Sequence, residues 1–217
     1  MNRTLKDLSD KPPSKLMGTL AIAGFSAEIN LRDVAQALGQ KDLAILAKAP
    51  ERNAKLVRLR IEIDEQVAIG LAKVTVGTRE RKRLNLTAEI ALVFEKFGDH
   101  TVPIAELCSQ VILQSKPSRV TEIKKFIEHV VYIADKAGQA FIDEDLAWAK
   151  AAVEQSRAAK EHYNRIKGDL GTLAGTSPGG LDRLDLLNRI ADETNQILEL
   201  VSGMAGDVVT FLEAVEL

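Results

Sequence analysis

Residues 184–212 read LDLLNRIADETNQILELVSGMAGDVVTFL, and the spacing of their apolar positions decides the fold. Leu184, Leu187, Ala191, Thr194, Leu198, Val201, Ala205, Val208, Leu212 and Val215 alternate three- and four-residue steps. That spacing keeps one seam on one side of an α-helix. Ile190, Ile197, Met204 and Phe211 widen the seam on one flank. A stripe this wide suits a helix bundle better than a two-stranded coiled coil. Gly203 and Gly206 lie off the seam and weaken the helix locally. Read as one helix, residues 181–216 form a rod of about 54 Å.

The segment upstream has the same character. Val120, Ile123, Ile127, Val130, Ala134, Ala137 and Phe141 keep the spacing, with Phe126 and Ile133 beside them. After Gly138 the pattern slips by about one residue, and Ala149, Ala152, Ser156, Ala159, Tyr163 and Ile166 form a seam of mostly small side chains. Small seams let helices approach closely. Residues 118–167 therefore read as one long helix, or two with a kink near Gly138. Residues 168–180, GDLGTLAGTSPGG, hold five glycines and read as a flexible connector. Across it the two long segments fold back as an antiparallel hairpin.

Further towards the N-terminus, Gly98-Asp99-His100 reads as a helix stop, with Pro103 opening the next helix. A second break lies at Ser115-Lys116-Pro117-Ser118. Residues 31–38 and 43–49 read as helices around Gly39. Residues 56–77 carry two competing patterns. Val57-Arg58-Leu59-Arg60-Ile61-Glu62-Ile63-Asp64 alternates apolar and charged residues, the periodicity of a strand. Leu56, Leu59, Ile63, Val67, Leu71 and Val74 equally fit one helical face, with Arg58/Glu62 and Arg60/Asp64 as i,i+4 pairs. The expected fold is mainly α: an elongated antiparallel helical bundle with a coiled-coil-like hairpin, and a small β-hairpin near 56–77 left open. The expected organisation is a flexible tail over 1–15, a helical or α+β region over 16–98, and a long-helix hairpin over 101–217. No repeat of fixed period stands out.

Composition agrees. The chain has 217 residues, with 46% hydrophobic, 28% charged and only 4% aromatic side chains. This is the profile of an ordinary helical globular chain. Net charge is −2, split as +5 over residues 1–98 and −7 over 99–217. Cys108 is the single cysteine, so no disulfide and no multi-cysteine metal site forms within the chain. Two acids and a proline pair near the N-terminus argue against a secretory signal, and a cytoplasmic location is expected. The longest uncharged stretches, Leu16–Ala27 and Leu170–Leu181, have twelve residues each, against about 20 for a spanning helix.

Catalytic signals are absent. His100, His129 and His162 each follow a carboxylate, but adjacent helical positions diverge and cannot act on one group. Phosphate-loop and serine-nucleophile motifs are missing. The expectation is a non-enzyme without cofactor or metal. It self-associates or docks a protein partner through its helix seams, above all at Leu184, Leu187, Leu198, Val201, Val208 and Leu212. Arg79, Arg81, Lys82 and Arg83 form a second feature, an anion or nucleic-acid patch.

Three partial resemblances accompany this reading. Val34-Ala35, Gly39 and Ile45 resemble the helix-turn-helix of bacterial repressors, although Gln40 and Lys48 stand where that family has apolar residues. It implies a DNA-binding regulator, with residues 31–49 on DNA and the C-terminal helices dimerising. Ile190-Ala191-Asp192-Glu193-Thr194-Asn195 looks like the hairpin tip of bacterial chemoreceptors, a likeness that ends there. Leu16–Ala27 and Gln66–Ala72, flanked by long helices, look somewhat like the stored apolar elements of α-helical pore-forming proteins, which implies membrane insertion.

Overall fold

The computed structural model describes residues 15–114, 120–176 and 181–214, and every regular element in them is an α-helix. The long helices are α1 (Lys15–Gln40), α3 (Ala49–Leu71), α4 (Arg79–Leu113), α5 (Val120–Asp143), α6 (Leu146–Thr176) and α7 (Leu181–Glu213); α2 (Leu43–Leu46) is a single turn. They form two three-helix bundles. In one, α1, α3 and α4 pack on each other; in the other, α5, α6 and α7 do so. The bundles join side by side through α1 on α5 and α4 on α7. At 1.5 Å per residue the longest helix, α4, spans about 52 Å, so the body is elongated.

The halves are structural echoes. Leu20, Ala23, Ala27, Leu31, Val34 and Leu38 are buried on α1, and Ile123, Phe126, Val130, Ala134, Ala137 and Phe141 occupy the same register on α5. Both helices end in a left-handed residue, Lys41 at φ 61° and Glu144 at φ 54°. In both, the amide of the following aspartate reaches back five residues, Asp42 to Ala37 and Asp145 to Ala140. These are Schellman-type ends. Asp42 then accepts from the amides of Ala44 and Ile45, and Asp145 from that of Trp148, capping the next helix. The repeat lies in burial and capping rather than in residue identity, so no sequence period reveals it.

The α7 seam is buried from Leu184 to Leu212 and the α5 seam from Ile123 to Phe141, while Val120 is half-buried and Val215 lies outside the described residues. In α6, Ala149, Ala152, Ser156, Ala159 and Ile166 are buried. One open reading is decided and three expectations are corrected. Residues 56–71 are helix, not a hairpin: Leu56, Ile63 and Val67 face the core while Ile61 and Ile69 face out. Arg60 and Asp64 pair one turn apart, whereas Glu62 bonds to Gln66 and pairs with Lys15 instead of Arg58. Gly98 does not stop a helix; α4 runs through it and through Pro103. A Cβ at Gly98 would lie 2.6 Å from Leu56 Cδ1, so glycine admits α3 against α4 there. The helix α5 runs unbroken through Gly138, and the break before α6 falls at Glu144 and Asp145 instead. The ring of Phe94, from α4, lies 3.2 Å from a Cβ built there and 2.9 Å from one built at Gly24 of α1. Phe94 thus plugs the joint where α1, α4 and α5 meet. Finally, α6 continues to Thr176 through Gly168, Gly171 and Gly175, leaving 177–180 outside the described residues. The tail over 1–14 and the break at 115–119 also lie outside them.

Candidate interaction face

Leu184, Leu187, Leu198, Val201, Val208 and Leu212, expected to form an interface, are all buried within the chain. Their helix packs on α4, α5 and α6. The seam is consumed in building the monomer and is not offered to a second molecule.

The basic run is also engaged. Arg79 and Arg83 both pair with Glu144, at 2.6 and 2.9 Å. The Arg79 guanidinium lies 5.5 Å from the Phe211 ring centre. Arg81 donates to the Leu71 carbonyl at 3.3 Å, serving the C-terminal end of α3. Lys82 is exposed. Three of the four cations thus hold helix ends together. The helix-turn-helix likeness lacks its second helix, since α2 has four residues, and the hairpin that would form a wing is helix α3. The apolar stretch from Leu16 lies in α1, with Leu20, Ala23 and Ala27 in the core. No described helix is long and apolar enough to cross a membrane.

The histidines have separate polar partners. His100 Nδ1 lies 2.8 Å from Glu193, His129 Nε2 lies 3.0 Å from Gln155, and His162 Nε2 lies 3.6 Å from Glu122. Burial lowers the His162 imidazole, helped by Arg165 and opposed by Glu122. Among the described residues no group of three or more His, Cys, Asp or Glu could hold a metal. Cys108 is buried, and burial pushes its thiol up to about 12, which suppresses thiolate chemistry.

The face that stands out runs along the contact of α1 with α5. Ile22 and Phe25 on α1 are 51% and 60% exposed, and Tyr132 on α5 is 50% exposed. Two clefts meet at Asp135. One, of about 100 Å³, is bordered by Phe25, Glu28, Asp135, Gln139 and Ile142. The other, of about 190 Å³, is bordered by Arg32, Glu128, Tyr132 and Asp135. Glu28 is buried, and its carboxyl is raised to about 7, chiefly by burial and then by Asp135, with Arg32 opposing. Beside them Lys136 lies 4.1 Å from the Trp148 ring centre and 5.6 Å from that of Tyr132. Exposed aromatic area beside a buried, incompletely compensated carboxyl sets this face apart from an ordinary solvated helix surface. The alternation rule for helices could have flagged Ile22 and Phe25 as off-seam apolar residues; Glu28 carries no sequence signal, because its burial depends on α5.

Two helical triplets joined through their equivalent helices define a class of all-helical double bundle. That class is the PhoU fold: the chain superposes on PhoU from Pseudomonas aeruginosa with a TM-score of 0.87 at 17% identity, covering 92% of this chain and 96% of that one. It superposes on the phosphate transport system regulatory protein PhoU from Streptococcus pneumoniae with a TM-score of 0.82 at 13% identity, covering 91% and 93%. At these identities the likeness is one of fold. No family model and no curated protein matches the sequence.

Proposed function

We propose that this chain is a non-enzymatic regulatory protein that acts by docking a protein partner, with the α1–α5 face as its contact surface. The observation that carries this is the pair of exposed aromatics, Phe25 and Tyr132, bordering two clefts that share Asp135, one of them also lined by the buried Glu28. Aromatic anchors beside charge, at a junction between two rigid bundles, are the composition of a protein interface. The S. pneumoniae structure of the same fold is a regulatory protein of a phosphate transport system, which supports a regulatory reading here. A single buried thiol fits a reducing, cytoplasmic setting. Docking is favoured over assembly through the α7 seam because that seam is already covered.

The test is a paired purification from native cells. The Phe25→Ser/Tyr132→Ser double variant should melt like the wild type, since both side chains are exposed. It should also lose a discrete set of proteins that copurify with the wild type in quantitative mass spectrometry. An unchanged set in the double variant refutes the proposed surface.

A further inference from the structure

At one end of the molecule, the ends of α1 and α4 meet the starts of α5 and α7 around a cleft of about 200 Å³. That is room for roughly six water molecules at their liquid volume. Among the described residues its charged lining is Lys41, Lys124 and Arg183, with no carboxylate, and Thr121 adds a hydroxyl. Three cations converge here, Lys41 from the end of α1, Lys124 from α5 and Arg183 from α7, and Lys124 alone has a carboxylate partner among the described residues, Glu128 at 3.5 Å.

Two details show that the chain does not use up this charge internally. The first is Arg183. One guanidinium nitrogen donates to the Gln114 carbonyl at 2.8 Å, while Nε is buried with no partner. Burial holds the guanidinium below its ordinary value, the sign of a cation short of solvation. The second is Lys41. It occupies the left-handed position closing α1, where glycine is the usual residue. The equivalent strained residue closing α5, Glu144, has a use for its side chain in its two arginine partners. Lys41 has no carboxylate partner among the described residues, yet a lysine is kept at a backbone position that disfavours it. Lys124 pairs only loosely with Glu128, at 3.5 Å. Its stem lies beside Gly39 at ordinary van der Waals range, 3.5 Å from where a Cβ would be, and both residues line the cleft. The helix start of α5 adds a positive dipole end on the same side.

We propose that this cleft binds a small oxyanion of the phosphate type, held by Arg183, Lys124 and Lys41. Arg183 offers the guanidinium N–H groups that do not serve the Gln114 carbonyl, and the two ammonium groups close on the remaining oxygens. This proposal is independent of the docking face, from which it shares no residue.

The experiment is isothermal titration calorimetry of the full chain with inorganic phosphate, repeated with sulfate, at low ionic strength and again at about 0.15 M salt. Saturable 1:1 binding is expected, weakening but persisting at the higher salt. Lys124→Ala and Arg183→Gln should each weaken it at least about tenfold, the loss of one charge-assisted contact. Lys41→Gly is the decisive variant. It should raise Tm by about 2–4 °C, because the left-handed strain is released, while weakening phosphate binding by about fivefold or more. A variant that folds better and binds worse cannot be explained by damage to the fold. No saturable heat up to about 10 mM phosphate overturns the proposal. So does wild-type affinity in all three variants. Binding to phosphatidate vesicles without binding to free phosphate also overturns it, since the site would then serve a membrane surface.

Discussion

Glu28 is a carboxyl whose chemistry the fold alters strongly. Its carboxyl stands at about 7 in the folded chain against 4.5 ordinarily, because α5 covers it and brings Asp135 close, with Arg32 offsetting part of the effect. A carboxyl raised on folding contributes stability that is complete below about pH 4.5 and is lost as the pH rises through about 7. Glu28→Gln should therefore stabilise the chain at about pH 8 by on the order of 2 kcal/mol, with the gain vanishing near pH 4. Urea unfolding at the two pH values measures this. Equal stabilisation at both would mean that ionisation of Glu28 is not involved. Gly98 poses a steric question instead. A methyl group there runs into Leu56 and Asn53, so Gly98→Ala should destabilise by about 1–3 kcal/mol, in spite of the better helix propensity of alanine. Chemical denaturation reads the sign directly: a more stable variant would show that α3 can withdraw.

At the scale of elements, what the sequence disclosed and what it hid have separate physical causes. The seams of α5, α6 and α7 were legible because each helix buries one continuous stripe, and a stripe needs only local spacing to be seen. Residues 56–71 were ambiguous because the alternation of Val57 to Asp64 is compatible with both periods. Contact with α4 settles the matter by burying Leu56, Ile63 and Val67 on one helical face. The glycines misled for a related reason. Gly98 and Gly138 punctuate a sequence as stops or kinks, whereas here they make room for Leu56 and Phe94 from other helices. Pro103 lies inside α4, where the missing amide removes one bond to Asp99 without ending the helix. The basic run was visible as charge, but its partner Glu144 is 61 residues beyond Arg83 and no spacing rule links them. The seam of α7 carries its own prediction. Leu198→Ala should cost about 2–5 kcal/mol in chemical denaturation and leave the native mass by light scattering unchanged, because the residue packs inside the chain. A drop in mass with little loss of stability would restore the seam as an interface between copies.

At the scale of the whole molecule, the two bundles meet through their equivalent helices, α1 with α5 and α4 with α7. Along α1 and α5 that arrangement leaves two clefts that share Asp135, with Phe25 on the α1 wall of one and Tyr132 on the α5 wall of the other. Because each wall belongs to a helix whose inner stripe is fully buried, the outer apolar residues are surplus to folding. Their placement is the main reason for reading the chain as a docking protein. The direct measurement is site-specific photo-crosslinking in native cells, with the photoreactive residue placed in turn at positions 25, 132 and 154; Glu154 is exposed on α6 and borders neither cleft. Discrete protein adducts at 25 and 132, and none at 154, are the predicted result. Adducts at 154 alone, or none at 25 and 132, would contradict the assignment of the α1–α5 face as the surface through which this protein acts.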